Sequence, residues 1–121
     1  MSMWMSESGL KNASEESMEI TLTVRGRKSQ RKVSRPVWFV YEDNSLYLLP
    51  IQGSETNWYK NILHDSDVEI FVAGQKYNGK SKAITDSIKV KEIVNRFISK
   101  YGESEVNKYY TKFDVCVEFV L

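Results

Sequence analysis

The chain has 121 residues, of which 41% are hydrophobic and 27% charged, and its formal net charge is +1. These values are ordinary for one globular domain, and the near-neutral charge argues against a nucleic-acid partner, for which a basic domain is expected. No apolar run approaches the roughly 20 residues that a membrane span needs, and the N-terminus lacks an apolar signal-peptide core. We therefore expect a cytoplasmic protein without a transmembrane segment.

Residues 1–41 are predicted to form an N-terminal arm followed by two strands. Residues 1–17 are mostly polar, and we interpret them as an N-terminal arm ahead of one domain, residues 18–121. Alternating apolar and polar side chains over residues 18–24 predict a half-buried strand. Residues 36–41 predict a second strand, with a proline at its first position and large apolar residues on both faces. This second strand is therefore expected to be buried on two sides or to line a pocket.

The rest of the chain alternates between short strands and amphipathic segments. In chain order we predict a strand over 46–49, a short helix over 57–63, and strands over 68–72 and 81–84 joined by a turn over 74–79. A longer amphipathic helix follows, with Thr85 or Asp86 as its N-cap and Gly102 as its C-terminal stop, and then a short helical turn over 103–110 and a strand over 114–120. These elements predict an α+β, mainly β fold: a six-stranded antiparallel barrel, with a short helix after the third strand and a longer helix before the last.

Positive charge is concentrated in one segment, residues 25–35, where six of eleven side chains are permanent cations. The segment connects the first two predicted strands. Arginine and lysine side chains with free backbone amides favour a bound anion, Gly26 allows a close backbone approach, and Ser29 adds a hydroxyl donor. The alternative is a solvated basic loop, because runs of like charge are commonly solvated.

The single cysteine and the single histidine indicate no chemistry of their own. Cys116 excludes an internal disulfide and lies in an alternating segment, where a small buried hydrophobe is expected. His64 has no second histidine or cysteine near it, so we expect no metal site. Serine, histidine and acidic residues show no triad pattern, so hydrolase chemistry has no support.

Four motifs follow one another in the chain: Gly26-Arg27-Lys28-Ser29, Pro36-Val37-Trp38-Phe39, Gly53, and Trp58-Tyr59-Lys60-Asn61-Ile62. Their order and spacing resemble the deazaflavin (coenzyme F420)-dependent nitroreductase family. Proteins of that family are split β-barrels related to the pyridoxamine 5'-phosphate oxidase-like FMN-binding proteins. The resemblance covers residues 22–72 and extends more loosely to the last strand.

The resemblance implies a set of cofactor-binding residues: Arg27, Lys28, Ser29, Arg35, Pro36, Trp38, Gly53, Trp58 and Asn61. The first three would hold the cofactor phosphate, with Arg35 adding charge. The others would border a flat ring, which requires apolar walls and a few fixed polar groups. By looser alignment, the resemblance implies that Tyr109 or Tyr110 shapes the acceptor pocket or donates a proton, and it implies no metal.

The chain departs from the family pattern at several positions. Gln30 stands where the family has a second turn glycine, Val33 where it has an arginine, and Ser54 where it has a second loop glycine. These departures keep FMN open as an alternative cofactor. Core packing is the structural alternative for Trp58, and anchoring of nearby backbone is the alternative for Asn61.

The function implied by the resemblance is an oxidoreductase that transfers hydride from F420 to a small electrophilic acceptor, such as a quinone or a nitro compound. Hydride transfer is the chemistry of the cofactor, which accounts for the lack of an evident acid–base pair. One alternative is a non-catalytic module that carries a flavin-type cofactor. Another is a small barrel that binds single-stranded nucleic acid through the basic turn and exposed aromatic residues. Kinship also makes a homodimer a candidate assembly.

Overall fold

The computed structural model describes residues 17–42 and 45–120. They form strands β1 (Ile20–Arg25), β2 (Lys32–Val37), β3 (Phe39–Glu42), β4 (Ser45–Leu48), β5 (Asp67–Val72), β6 (Gln75–Ile84) and β7 (Cys116–Val120), and helices α1 (Asn57–His64), α2 (Ser87–Tyr101) and α3 (Glu103–Tyr109), with a 3₁₀ turn over Gly53–Glu55. The predicted N-terminal arm, apart from Ser17, lies outside the described residues.

All seven strands belong to one antiparallel sheet, in the order β2-β1-β5-β6-β7-β4-β3. The ten-residue strand β6 lets the sheet curl, because its first part pairs with β5 and its last part with β7. The two outermost strands, β2 and β3, are consecutive in the chain and are separated only by Trp38. The curled sheet therefore remains open at Trp38, as expected for a split barrel.

Two hydrophobic clusters account for this curvature. One lies on the inner face of the sheet and includes Trp58, Tyr59 and Ile62 of α1. The other lies between the β3–β4–β7 side of the sheet and helices α2 and α3, with Phe97 fully buried at its centre. Strand β3 contacts both clusters, Phe39 on one face and Val40 on the other. The prediction that this part of the chain is buried on two sides is confirmed.

The predicted number of six strands was wrong, because the predicted strand over residues 36–41 is two strands. Strand β2 begins at Lys32, inside the basic segment, and ends at Val37, and a new strand starts at Phe39. Lys32, Ser34 and Pro36 lie on the exposed outer face, so charge and polarity do not prevent pairing with β1. The short helix consequently follows the fourth strand and not the third.

The predicted turn over residues 74–79 was also wrong. The turn consists of Ala73 and Gly74 alone, with φ of 51° and 78°, and residues 75–79 belong to β6. Gly79 lies inside this strand, and a larger residue would not fit there because its Cβ would be 2.3 Å from the carbonyl oxygen of Val120. A glycine in a strand marks a close backbone approach as often as a turn. The glycine-rich composition of this segment was therefore a misleading turn signal.

The helical predictions in the second half of the chain are confirmed. Asp86 caps α2, since its Oδ2 accepts a hydrogen bond from the Lys89 amide at 3.2 Å. Gly102 ends the helix with φ of 98°, a conformation that favours glycine. Helix α3 follows immediately, where a short helical turn was predicted. Among the described residues, no helix is long and apolar enough to cross a membrane.

Candidate cofactor-binding site

The turn between β1 and β2 is closed by its own backbone. The Gly26 amide donates to the Arg31 carbonyl at 2.7 Å, and the Gln30 amide donates to the Gly26 carbonyl at 3.0 Å. Gly26 lets Ser29 fold back over the turn, because a Cβ at position 26 would lie 2.7 Å from Ser29 Oγ and would displace this hydroxyl. Ser29 Oγ in turn accepts from the Arg31 amide at 3.2 Å. The basic segment is thus an ordered turn and not a loose loop.

Gln30 adopts φ of 63° at the position where the resembled family carries glycine. This left-handed conformation costs a non-glycine residue about 1–2 kcal/mol. Local hydrogen bonds offset that cost: the Gln30 carbonyl accepts from Arg25 Nη1 at 2.7 Å, and its side-chain amide donates to the Arg27 carbonyl at 3.3 Å. The turn therefore keeps its shape despite this departure.

Asn61 ties the turn to helix α1. Its Oδ1 accepts from both the backbone amide of Arg27 at 3.2 Å and Arg27 Nη1 at 2.7 Å. Arg27 Nη1 also donates to the carbonyl of Asn57 at 3.4 Å. Asn61 is 8% exposed, so it acts as a buried anchor of the turn. Within residues 17–42 and 45–120, the Nε–H and both Nη2–H donors of Arg27 make no further hydrogen bond.

A cavity of about 240 Å³ lies between this turn, the inner face of β2 and α1. It is lined by Leu22, Val24, Gly26, Arg27, Lys28, Ser29, Val33, Arg35, Asn57, Trp58 and Asn61. Three of these residues are cations and none is acidic. Arg35 lies on the inner face because it pairs with the buried Leu22 of β1. We refer to this space as the cationic cavity.

A second cavity, of about 340 Å³, lies where the sheet is open. It is lined by Glu19, Pro36, Val37, Trp38, Leu49, Ile51, Trp58, Glu105, Tyr109 and Tyr110. Four of the ten are aromatic, and we refer to this space as the aromatic cavity. Trp58 lines both cavities and is 5% exposed, so it is at once part of the core and the shared wall.

Trp38 is held in place by a residue that sequence reasoning missed. Its indole stacks on the Tyr101 ring with a centroid distance of 4.2 Å and an interplanar angle of 7°. The Tyr101 hydroxyl accepts from the Phe39 amide at 3.1 Å and lies 2.7 Å from the Met18 carbonyl oxygen. Burial raises the pKa of Tyr101 to about 12. No sequence signal marked Tyr101, because it sits on the apolar face of a helix whose periodicity indicates core packing.

The two candidate tyrosines differ sharply in environment. Tyr110 is buried, and burial raises the pKa of its phenol well above the ordinary value. Tyr109 is 47% exposed, and its ring lies edge-on to Trp38 at 5.6 Å. Both line the aromatic cavity beside Trp38. Tyr110 is a wall residue that stays protonated, whereas Tyr109 is accessible to a bound molecule.

Local structure explains why residue 53 is a glycine, and Gly53 is not among the residues that line the two cavities. It has φ of 55°, and a Cβ there would lie 2.1 Å from Asp114 Oδ1. Asp114 accepts from the Ser54 amide at 2.9 Å and from Ser54 Oγ at 2.6 Å, and these bonds lower the pKa of its carboxyl group against the opposing effect of burial. The loop that carries Ile51 is thereby attached to the segment before β7.

Lys100 is a second residue that the sequence did not single out. Its Nζ donates to the Phe39 carbonyl at 2.9 Å and lies 3.5 Å from the centroid of the Phe39 ring. Burial lowers the pKa of Lys100 to about 8. Its position behind Trp38 and Tyr101 supports the wall of the aromatic cavity.

Cys116 is buried in β7, and burial raises the pKa of its thiol to about 12, as suits a packed hydrophobe.

A larger groove of about 450 Å³ lies on the outer face of the sheet and is a poorer candidate. Its charged side chains pair with one another: Arg25 with Asp65 at 3.6 Å, Lys32 with Glu69 at 3.0 Å, and Lys80 with Asp67. Charges that neutralise each other on an open surface offer little to a ligand. The two smaller cavities, by contrast, separate an anion-binding surface from an aromatic one.

Comparisons with known proteins agree with this geometry at the level of the fold. The family described as "Uncharacterized protein conserved in bacteria (DUF2255)" matches residues 11–114. No curated protein sequence matches the chain. Of the solved structures, an F420-H2 dependent reductase (FDR-A) has a TM-score of 0.66 at 14% identity, covering 85% of this chain and 94% of that one.

Two further structures show how widely this fold is used. The "Putative Pyridoxamine 5'-phosphate oxidase" from Listeria innocua has a TM-score of 0.70 at 14% identity, covering 94% of this chain and 91% of that one. HutZ, the heme storage protein from Vibrio cholerae, has a TM-score of 0.67 at 15% identity, covering 93% and 87%. At such identities the likeness concerns the fold, and the ligand has to be argued from the residues.

Proposed function

We propose that this chain, which belongs to the DUF2255 family of bacterial proteins, is an oxidoreductase that binds coenzyme F420, or alternatively FMN, and reduces a small electrophilic acceptor such as a quinone or a nitro compound. One observation carries the proposal: a cationic cavity and an aromatic cavity share one wall, Trp58. A molecule with a phosphate at one end and a flat ring at the other matches this arrangement.

The residues present fit such a group. Lys28, Ser29 and Arg35 line the cationic cavity, and Arg27 retains free donors beyond its bonds to Asn61 and Asn57. Charge-assisted hydrogen bonds from such groups are the strong ones in phosphate recognition. Taken together, the two cavities fall in the range of about 300–1,000 Å³ that is typical of small-molecule sites. The lone histidine, His64, is exposed at the end of α1 and lines neither cavity.

In this proposal the residues of the chain bind, orient and exclude water. A bound deazaflavin or flavin supplies the hydride transfer. Trp38 and Trp58 provide flat apolar walls, and Tyr101 fixes the plane of Trp38 from behind. The buried residues of the lining, Leu49, Trp58 and Tyr110, exclude water from their side of the cavity, which strengthens the electrostatic interactions there.

The two tyrosines take different parts in the proposal. Tyr110 stays protonated at neutral pH because burial raises its pKa, so it serves as a wall. Tyr109, with its exposed ring beside Trp38, is the residue that reaches the acceptor. The alternative function for the same cavities is a non-catalytic cofactor carrier, since binding of the cofactor alone requires neither tyrosine.

Titrating the protein with F420 and with FMN, followed by tryptophan fluorescence, tests the binding part of the proposal. We expect Lys28→Ala to weaken binding about tenfold, because it removes a charge-assisted contact to phosphate. Lys91→Ala is the matched control, since Lys91 is an exposed lysine on α2 outside both cavities. Equal affinity of the wild-type protein and the Lys28→Ala variant would exclude the phosphate assignment.

The reaction itself is tested by mixing the reduced cofactor complex with a simple benzoquinone and following cofactor oxidation by absorbance. We expect Tyr109→Phe to slow this oxidation while leaving cofactor affinity unchanged. Tight cofactor binding with oxidation no faster than that of the free cofactor would support a carrier. Failure to bind either cofactor would reject both readings.

A further inference from the structure

The two cavities carry opposite charge. The cationic cavity is lined by Arg27, Lys28 and Arg35 and by no acid. The aromatic cavity is lined by two carboxylates, Glu19 and Glu105, and by no lysine or arginine. The cationic and the anionic side chains thus line two cavities that share the Trp58 indole. The negative charge of the aromatic cavity therefore bears on which ligands it binds.

We propose that the aromatic cavity selects a positively charged or electron-poor aromatic molecule and rejects an anionic one. The inference deepens the proposed function by assigning a charge class to the acceptor of the same site. Aromatic faces attract cations through the ring quadrupole, and the attraction increases where water is excluded. Carboxylates beside such rings add Coulombic attraction of the same sign.

The two carboxylates come from different parts of the chain and are available. Glu19 precedes β1, whereas Glu105 lies in the first turn of α3, and both are exposed. Within the described residues, neither takes part in a salt bridge. This contrasts with the outer groove, where acids and bases neutralise each other. Neither carboxylate is therefore neutralised by a salt bridge within the described residues.

The aromatic wall already holds one ammonium group of the chain. Lys108 Nζ lies 5.3 Å from the centroid of the Tyr109 ring. This distance is within the range of about 6 Å for a cation–π contact, which makes Lys108 a competitor for an incoming cation. Removing Lys108 should therefore increase the affinity of the cavity for a cationic ligand, whereas removing Glu19 or Glu105 should decrease it.

The test uses two probes of similar two-ring size and opposite charge, N-methylquinolinium and 2-naphthoate, with no flavin present. Binding is followed by the indole N–H signals of Trp38 and Trp58 in NMR spectra of ¹⁵N-labelled protein. Trp→Phe variants at these two positions assign the signals. We expect the cation to bind about tenfold more tightly than the anion.

Substitutions of the two glutamates test whether they cause the preference for the cationic probe. Glu19→Gln and Glu105→Gln should each weaken cation binding about two- to threefold, and the double variant should bring the two probes to nearly equal affinity. Glu103→Gln is the matched control, because Glu103 is an exposed acid on the same helix outside the cavity. Lys108→Gln should strengthen cation binding.

Several outcomes would overturn the inference. One is naphthoate binding as tightly as the quinolinium, another is an equal effect of Glu103→Gln and Glu105→Gln, and a third is no movement of either indole signal at about 10 mM probe. Since no cofactor is used, the result is separate from the proposed function. A protein that selects the cation but binds neither F420 nor FMN would retain this inference and lose the other.

Discussion

The cationic and aromatic cavities lie side by side but are assembled in different ways. The cationic cavity is formed by one turn, the two strands that it connects and the helix α1, and four of its lining residues are consecutive, Gly26 to Ser29. The aromatic cavity is formed by residues from five separate parts of the chain, from Glu19 to Tyr110. A local site survives many changes elsewhere in the chain, whereas a composite site depends on the loops that bring its parts together.

This difference predicts which substitutions disturb which cavity. The loop at Gly53 and the ring of Tyr101 should affect the aromatic cavity alone, and the anchor Asn61 should affect the cationic cavity alone. The indole signals of Trp38 and Trp58 distinguish the two outcomes, because Trp38 lines only the aromatic cavity and Trp58 lines both.

The largest effect is expected for Gly53→Ala. The new Cβ would lie 2.1 Å from Asp114 Oδ1, and the backbone would remain at φ of 55°. We expect a loss of about 2–4 kcal/mol in the free energy of unfolding, measured by urea denaturation, from the strained backbone and the displaced carboxylate. Gly74→Ala isolates the backbone contribution, because Gly74 has φ of 78° and no atom within 4 Å of its Cβ position.

Equal losses for the two glycine variants would contradict the role given to Asp114. In the expected case, Gly53→Ala costs more than Gly74→Ala and shifts the Trp38 indole signal, because the loop that carries Ile51 is displaced. The same signal should not move in Gly74→Ala, whose turn lies at the far end of the β5–β6 hairpin.

The two cavities also differ in how far the sequence could predict them. The basic turn was visible because its residues are consecutive, and charge and glycine spacing are local signals. The family resemblance placed Trp38, Trp58, Tyr109 and Tyr110 near one ring, and the structure places all four around one cavity. The pairing of Trp38 with Tyr101 connects residues 63 positions apart, and no local pattern encodes it. The same holds for the contact of Gly53 with Asp114.

The strand errors have a related cause. Charge in residues 32–35 indicated a turn, but these side chains point alternately to solvent and into the cationic cavity, so pairing with β1 decides the structure. Alternation within residues 36–41 was interpreted correctly for the two faces but could not reveal the break at Trp38. That break depends on the closure of the whole sheet, in which β2 and β3 become opposite edges.

The second prediction concerns Tyr101→Phe, which keeps the stacked ring and removes the hydroxyl. The Phe39 amide then loses its acceptor at 3.1 Å, and the Met18 carbonyl loses its partner. We expect a loss of about 1–3 kcal/mol in unfolding free energy, because an amide is left without a partner. The Trp38 indole signal should change little. Tyr109→Phe, which removes an exposed hydroxyl, is the control for stability.

Tyr101→Leu separates stacking from hydrogen bonding. It removes the ring that lies 4.2 Å from Trp38, so the Trp38 signal should broaden or shift, and probe binding in the aromatic cavity should weaken. Binding of inorganic phosphate in the cationic cavity should be unchanged. If Tyr101→Leu and Tyr101→Phe gave the same Trp38 signal, stacking would not be what orients this indole.

The third prediction concerns the opposite cavity. Asn61→Ala removes the acceptor shared by the Arg27 amide and Arg27 Nη1. We expect a loss of about 1–2 kcal/mol in unfolding free energy and weaker phosphate binding, because the turn is no longer tied to α1. Asn95→Ala, at an exposed position of α2, serves as control. A shift of the Trp38 signal in Asn61→Ala would show that the two cavities are not independent.

The last prediction concerns Lys100, and its effect depends on pH. Burial lowers the pKa of Lys100 to about 8 from an ordinary 10.5, so between these values the unfolded chain binds more protons than the folded one. Stability linked to Lys100 therefore rises with pH from about 8. Above pH 9 this rise is opposed, because burial raises the pKa of the Cys116 thiol to about 12 from an ordinary 9.0. Above pH 10 stability declines, because burial raises the pKa of Tyr101 to about 12 and also raises that of Tyr110, so the folded state then retains more protons.

Lys100→Met removes the amine while keeping a long apolar side chain against the Phe39 ring. We expect the rise in unfolding free energy between pH 8 and 9 to disappear in this variant, and the decline at higher pH to remain. Lys91→Met, at an exposed position of the same helix, should keep the wild-type profile. A persistent rise in Lys100→Met would mean that Lys100 does not cause it. The Phe39 carbonyl and ring would then already compensate the cost of burying the Lys100 ammonium.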